Sequence, residues 1–458
     1  MQLYNNSQPI IDREYKEIGT IIKFEESINE TINNLNYKNN IINIDNNVDF
    51  DYEIKNDINS NIINKKQKEF IKNPLDNYNK NKYGNMNEEY NLISKIDSPY
   101  IKQNFNYNPL IGLQNIGATC YMNATLQCFC HIEKFINFFK YSGQIIELVK
   151  IDKSKLSSSF KLLIEKLWPD NYEDPNLIKY YAPEEFKKKI SEMNPLCKGV
   201  AANDAKDLVN FIIMTLHEEL NKANKNQINN NNIILDQTNQ LLMFNAYAQN
   251  FMSNNQSIIS DLFYGINCNI TKCGGCGIQT YNYQTYFFIV FPLEEVRKFK
   301  YNNNQFNINN NIIDIYDCFN YYRKINVMLG DNSMYCNYCK MVCTSSICTV
   351  LTTGPEILIL LLNRGKGIEF NVKINFYENL NLFNYIQYNN TGYNYKLIGV
   401  ITHIGESGMG GHFIAYCHDP LFDQWHKYND AIVTRVIDFQ NEVINFAMPY
   451  LLFYQKTM

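Results

Sequence analysis

From about residue 109 onward the apolar positions of the chain fall into regular patterns. Asp204–Leu220 puts Ala205, Leu208, Val209, Ile212, Ile213, Leu216 and Leu220 on one face of a 3.6-residue repeat, which predicts an amphipathic helix. The run that starts at Cys120, CYMNATLQCFCHIEKFINFF, also has helical spacing, with Met122, Leu126, Phe129 and Ile132 on a shared face. Farther along, the period changes. ILILLL at 357–362 follows Pro355 and predicts a buried strand; YKLIGVITH at 395–403 and HFIAYCH at 412–418 predict neighbouring strands joined by the Gly-rich IGESGMGG; YLLFYQ at 450–455 predicts a last strand. Helices crowd the first half of this region and strands the second, an α+β arrangement rather than alternating βαβ units.

Residues 1–107 read differently. They are rich in Asn, Lys, Asp and Ile, nearly free of Gly, and lack strong periodicity beyond a short helical stretch around Glu17–Leu35. That composition predicts a largely disordered arm preceding a folded domain at 108–456. Two more Asn-rich tracts, near 221–233 and 301–313, read as surface insertions in loops.

Charge and cysteine use narrow the classes. The net charge of −4 over 458 residues argues against a nucleic-acid binder, which would carry a basic surface. No stretch approaches ~18 uninterrupted apolar residues, so no membrane span is expected. The first residues place charges where a secretory signal needs an apolar core. The expected location is therefore the cytoplasm, the nucleus or both, where the 13 cysteines stay reduced and serve as metal ligands, catalytic groups or core.

The segment IGLQNIGATCYMNATLQCF at 111–129 carries the first candidate chemistry. Gly112 and Gly117 punctuate a tight loop, after which Cys120 opens the helical run. A thiol at a helix N-terminus meets the positive end of the dipole and unpaired N–H groups, which should lower its pKa. Asn115 could fold back and donate to an oxyanion at the same spot. Read alone, a free cysteine is more often a small buried hydrophobe.

A cysteine nucleophile needs a base, and there are six histidines. His131 and His217 lie in helical patterns and read as structural; His418 and His426 lie near a polar turn and read as solvated; His403 ends a strand. His412 follows Gly410 and Gly411 and begins a strand, so it should be both exposed and rigidly held, as a general base must be. Downstream, QWHKYNDAIV at 424–433 offers Asn429 and Asp430 to fix the imidazole tautomer. Read alone, that pair is a turn.

Two Cys-x-x-Cys pairs, Cys273/Cys276 and Cys336/Cys339, have the spacing of knuckles that together make a tetrahedral structural zinc site. A redox role fits less well, because neither pair opens a helix in a βαβ setting. No catalytic cofactor is expected.

In this order the pieces resemble the ubiquitin-specific protease family. GLQNIGATCYMNATLQ resembles its cysteine box, with Cys120 at the nucleophile and Asn115 at the oxyanion position. YKLIGVITHIGESGMGGHFIAY followed by WHKYNDAIVTRV resembles its histidine box, with His412 at the base, Asn429 at the third triad position and Asp430 at the following acidic one. ANDAKDLVNFIIMTLHEEL resembles the box that receives the ubiquitin tail, with Asp204 at its acidic position. Gly411 and Phe413, flanking His412, join Asp204 as expected substrate contacts.

The resemblance runs from about Pro109 to Tyr454. It implies a right-hand fold, with a helical thumb, a β-rich palm and zinc-bearing fingers. It also implies a thiol-dependent ubiquitinyl hydrolase acting through a thioester, with ubiquitin and ubiquitinated proteins as partners. Some positions depart from the family. Arg364 is followed by Gly365 rather than an aromatic, Phe413 replaces the commoner Tyr, and Ala202, Asn203 and Lys206 replace glutamines. Two neighbouring functions share most of these residues: a protease for a ubiquitin-like modifier and a weakly active ubiquitin-binding scaffold. A papain-like peptidase has no place for the fingers.

Overall fold

The computed structural model describes residues 110–169, 179–199, 203–223, 236–302, 307–365, 367–387, 393–405, 410–445 and 448–457. The arm at 1–107, Ala202, most of the first Asn-rich tract, part of the second and residues 406–409 of the Gly-rich loop lie outside them.

The first lobe is helical: α1 Cys120–Phe129, α2 Glu133–Tyr141, α3 Gly143–Ile151, α4 Leu156–Leu167, α5 Glu184–Met193, α6 Ala205–Leu220 and α8 Ile258–Phe263, while α7 Gln240–Asn254 buries Phe244 and Ala248 against the fingers instead. All ten residues of α1 are buried, and a helix buried all round must satisfy its own polar side chains. Thr125 Oγ1 donates to Tyr121 O at 2.8 Å, Gln127 Nε2 to Ile111 O at 3.0 Å, and Asn123 Nδ2 to Leu113 O at 3.0 Å. The predicted helical run is not continuous. It stops at Phe129, Ile132 turns to an extended conformation, and α2 then starts. Both pieces still bury their apolar residues, so the periodicity survives the break. Helix α6 begins where expected, with Asp204 as N-cap accepting from Lys206 N at 3.0 Å.

The short β1 (Gly112–Leu113) pairs in parallel with β2 (Tyr180–Tyr181). A finger sheet follows, from the hairpin β3 (Gly265–Cys273) and β4 (Gln279–Tyr286). Next come β5 (Ile289–Pro292), α9 (Leu293–Tyr301), β6 (Ile312–Asp314), α10 (Ile315–Tyr322), β7 (Asn326–Met328), the small hairpin β8 (Met334–Cys336) and β9 (Met341–Cys343), and β10 (Ser345–Thr353). The finger sheet runs β4-β3-β10-β7. The end of the second Asn-rich tract is thus not a loop: β6 pairs with β12 (Lys373–Asn375), and Ile313 is buried.

The palm sheet is made by β11 (Ile357–Asn363), β13 (Asn379–Asn381), β14 (Asn394–Ile404), β15 (His412–Asp419), β16 (Gln424–Asn429), β17 (Ile432–Arg435) and β18 (Pro449–Thr457). Its order is β17-β16-β15-β14-β18-β11-β5, with β13 added on β14. The unbroken ILILLL run has a simple cause. Ile357, Ile359 and Leu361 enter a core shared with α1, α2, α4 and α6, while Leu358, Leu360 and Leu362 enter a second core with α9 and α10. Strand β18 divides likewise, Leu451 and Phe453 to one face, Leu452 and Tyr454 to the other. A strand covered on both faces has no polar alternation, and each such side chain contributes roughly 1.5–3 kcal/mol of burial.

Candidate active site

The loop before α1 is held by its own side chains. Asn115 Oδ1 accepts from Gly117 N at 3.2 Å and from Thr119 N at 3.1 Å, and Thr119 Oγ1 accepts from Ile116 N at 3.0 Å. Gly117 (φ 119°) and Ala118 (φ 48°) take left-handed backbone, a strained choice for alanine. Thr119 spends its hydroxyl in the loop and makes no side-chain cap to α1, so Cys120 begins the helix beside uncapped N–H groups.

Helix α1 packs across β15 and brings Cys120 next to Phe413, the residue after His412. The thiol is raised above its ordinary value of 9.0. Burial is the chief cause and the Asp430 carboxylate adds to it, while backbone hydrogen bonding from Phe413, Tyr121 and Cys120 itself pulls the other way. The sequence reading expected a lowered pKa from the helix dipole; desolvation outweighs it, because the sulphur is buried under β15. A thiol of this kind rests protonated and needs a base at the moment of attack.

His412, with 37% of its side chain exposed, opens β15. Its Nε2 lies 2.6 Å from Asn429 Oδ1. An amide oxygen only accepts, so Nε2 carries the hydrogen and Nδ1 keeps its lone pair. Asn429 ends β16 and pairs with Ile432 across a two-residue hairpin, Asp430-Ala431, with Asp430 at φ 51°. The pair is therefore a turn and part of the site at once.

Asp430 ties the two lobes together. Its Oδ2 accepts from Asn115 Nδ2 at 3.0 Å and its Oδ1 from Asn123 Nδ2 at 2.8 Å; its backbone O accepts from Leu113 N at 2.9 Å. It stands 3.9 Å from His412 Nε2, farther than Asn429. The hairpin presses so closely on β1 that a Cβ on Gly112 would fall 2.5 Å from Ala431 C, which only glycine avoids.

A second group of side chains adjoins this one. Tyr450 Oη donates to Asp204 Oδ1 at 2.6 Å and reaches Oδ2 at 2.8 Å, and Lys206 Nζ lies 3.8 Å from the same carboxylate. Burial, then the Asp204 charge, raises the Tyr450 phenol far above its ordinary value, so it stays a donor. Phe413 packs on Tyr450 (centroids 5.6 Å) and on His403 (4.7 Å). A Cβ on Gly411 would lie 2.4 Å from His403 Cε1. Burial lowers the His403 pKa, which keeps the ring neutral at physiological pH. Arg364 is buried on the carbonyls of Pro449 (2.9 Å) and Val372 (2.7 Å). An aromatic nevertheless reaches this wall: Phe370 stands 5.7 Å from the His403 ring.

Residues 111–454 match the family model described as ubiquitin carboxyl-terminal hydrolase. The chain belongs to this family. Among similar proteins are Usp2 of Drosophila melanogaster, 26% identical over 357 residues, and ubiquitin carboxyl-terminal hydrolase 2 of Homo sapiens, 27% identical over 359. Each alignment covers 76% of this chain, but only 35% of the fly protein and 55% of the human one. The chain thus spans about a third to a half of these relatives. Among solved structures, the SAGA Ubp8/Sgf11/Sus1/Sgf73 DUB module bound to ubiquitin aldehyde matches with a TM-score of 0.55 at 20% identity, over 77% of this chain and 70% of that one. A DUB module from the same set, bound to monoubiquitin, matches with a TM-score of 0.56 at 22% identity, over the same shares. The helical lobe, palm and fingers are therefore the fold of ubiquitin-specific proteases.

In this family member the two cysteine pairs converge at the tip of the finger sheet. Cys273–Cys276 lies in the β3–β4 turn and Cys336–Cys339 in the β8–β9 hairpin. The knuckles are built alike: Gly277 N donates to Cys273 O at 2.9 Å and Lys340 N to Cys336 O at 2.8 Å, and both donors have positive φ. The four sulphurs lie within 4.8 Å of one another, with Cys276–Cys336 at 3.7 Å and Cys273–Cys339 at 3.9 Å. Bonds of ~2.3 Å to one tetrahedral ion would space sulphurs about this far apart, so the donor set fits zinc.

Of the remaining histidines, His131 is fully buried between Gln127 O (2.7 Å) and Tyr428 Oη (2.8 Å), and burial lowers it to about 4. His217 bonds Ser257 and Asn255. His418 and His426 are not solvated as expected: His426 is 2% exposed, and His418 packs on Trp425 and pairs with Asp423 at 2.7 Å. Both sit on paired strands inside the palm sheet, His418 opposite Trp425 and His426 opposite Cys417. Sequence reasoning missed Asn123 and Tyr450. Asn123 gave one signal, a polar residue three places after Cys120 between the apolar Met122 and Ala124.

Proposed function

We propose that this chain is a deubiquitinating cysteine protease that hydrolyses the isopeptide or peptide bond after the C-terminal glycine of ubiquitin. The observation that carries the reading is the 2.6 Å contact of His412 Nε2 with Asn429, beside a thiol at a helix N-terminus. That contact leaves Nδ1 free to accept the Cys120 proton as sulphur attacks the glycine carbonyl. The oxyanion is held by the second Nδ2 hydrogen of Asn115 and by N–H groups at the start of α1. The imidazolium then protonates the departing amine, and the neutral ring activates water against the thioester. Asn429 fixes the tautomer, and Asp430 positions Asn115 and the hairpin. Asp204, Gly411 and Phe413 receive the ubiquitin tail along the His403–Tyr450 row.

Cys273, Cys276, Cys336 and Cys339 hold one structural zinc, which takes no part in the steps above. The catalytic domain is 108–456, and the arm at 1–107 lies outside it. Ubiquitin and ubiquitinated proteins are its partners, in the cytoplasm, the nucleus or both. Among the described residues no helix is long and apolar enough to cross a membrane. The test is mass spectrometry after treatment with ubiquitin bearing a C-terminal electrophile. One adduct on Cys120, absent in Cys120→Ala, is expected. Labelling at Cys128 or Cys130, or none at all, refutes the assignment.

A further inference from the structure

The first knuckle, Cys273-Gly274-Gly275-Cys276, has two glycines, and each has a close neighbour from β9 and its end. A Cβ on Gly274 would stand 2.5 Å from Thr344 Oγ1, and one on Gly275 would stand 2.7 Å from the sulphur of Cys343. Gly274 N also donates to Thr344 O at 2.7 Å. The knuckle is therefore wrapped around Cys343–Thr344, and its glycines are the residues that leave room for them. Cys343 pairs with Met334 across the β8–β9 hairpin, and Cys336 pairs with Met341. Directly opposed residues share a face, as do alternate ones along a strand, so Cys343 faces the same side as Cys336. Its sulphur lies 3.6 Å from that of Cys339. That is closer than Cys339 lies to its partner Cys273, at 3.9 Å. Cys343 stands outside both Cys-x-x-Cys pairs, and neither spacing marks it.

We propose that Cys343 is a fifth thiol of this metal site and shares one coordination position with Cys339. The inference rests on the zinc reading above. With Cys339 on the metal, the Cys343 S–H donates to the Cys339 sulphur and stabilises it as a ligand. In the exchange, the metal bond to Cys339 opens and the bond to Cys343 forms. The Cys343 proton passes to Cys339, so the ion keeps four thiolates and no oxidant is needed. The position occupied by Cys339 is thus backed up, whereas that of Cys276 is not: the sulphur 3.7 Å from it is that of Cys336, already a ligand.

The test uses the full chain loaded with cobalt(II), whose thiolate charge-transfer absorbance counts sulphur ligands, together with zinc competition against a chromophoric chelator. Wild type and Cys343→Ser are expected to show four thiolates. Cys339→Ser is also expected to show four, with zinc affinity within about tenfold of wild type. Cys276→Ser and the double variant Cys339→Ser/Cys343→Ser are expected to show three, with affinity lower by on the order of 100-fold. A Cys339→Ser protein that matches Cys276→Ser or the double variant, or that takes up no cobalt, overturns the inference while leaving the zinc reading intact. A wild-type chain that binds neither metal overturns the zinc reading, and this inference with it.

Discussion

The catalytic junction and the finger tip solve the same problem, fixing a few side chains to a fraction of an ångström, by different means. At the junction Asn123 and Asn115 meet Asp430 across 307 and 315 residues of chain. The elements that carry them are pinned by two large cores on either face of the palm sheet. The finger sheet has only a small core, Phe244, Ala248, Ile266, Cys268 and Tyr283. At its tip Val327, Tyr335 and Val342 are 61, 58 and 67% exposed. Packing holds the first region; the second has four converging sulphurs that a metal could tie together. A structural metal contributes folding free energy directly. The two regions should therefore fail separately.

The largest expected effect lies at the junction. Cys120→Ala and His412→Ala should each lower kcat/KM on a fluorogenic ubiquitin substrate by on the order of 10⁴-fold or more, with unchanged melting temperature and zinc content. A fall in either of those would show that the junction and the fold are not independent. Next, Asn429→Ala should cost about 10²–10³-fold through loss of the correct tautomer. Asp430→Ala should cost less in rate but lower the melting temperature, since it leaves the Asn115 and Asn123 amides without their carboxylate. A larger rate loss at Asp430 would make it the third member of the triad.

Metal removal probes the other region. Chelation of zinc should raise KM for the ubiquitin substrate by about tenfold as the tip loosens. Alkylation of Cys120 by iodoacetamide should continue at its original rate. A parallel loss of alkylation would mean that the finger supports the junction after all. The smallest effect is a pH shift. In His412→Ala the Cys120 thiol has no base, and burial holds its pKa above 9.0. A raised pKa means less thiolate at neutral pH, so alkylation followed by mass spectrometry should climb only above pH 9. A midpoint below the ordinary thiol value would show that the helix dipole dominates.

Much of the fold was legible because it is written in local periods. Helix α6 and strands β11, β14, β15 and β18 appear in the sequence within a residue or two of their observed ends, each being long and strongly patterned. Residues brought to the junction were legible where a short motif carries them, as with Cys120, His412 and Asn429. What stayed hidden depends on partners far along the chain. Nothing near Tyr450 announces Asp204, and nothing near His426 announces that it will be buried. The direction of the Cys120 pKa was missed for the same reason: the dipole is a property of the local helix, whereas burial comes from β15, nearly 300 residues later.

The place of β18 in the palm carries a consequence for synthesis. It lies between β14 and β11 and pairs with both, yet among the described elements it is the last to leave the ribosome. Domains fold as units once their residues have emerged. Until residues 449–457 are free, β11 has no link to β14, and the strand carrying His412 has no finished sheet to lean on. A nascent chain, or one cut short upstream of Pro449, thus holds Cys120 without a working partner. Assembly of the Cys120–His412 pair therefore waits on residues 449–457, which join the two halves of the palm sheet.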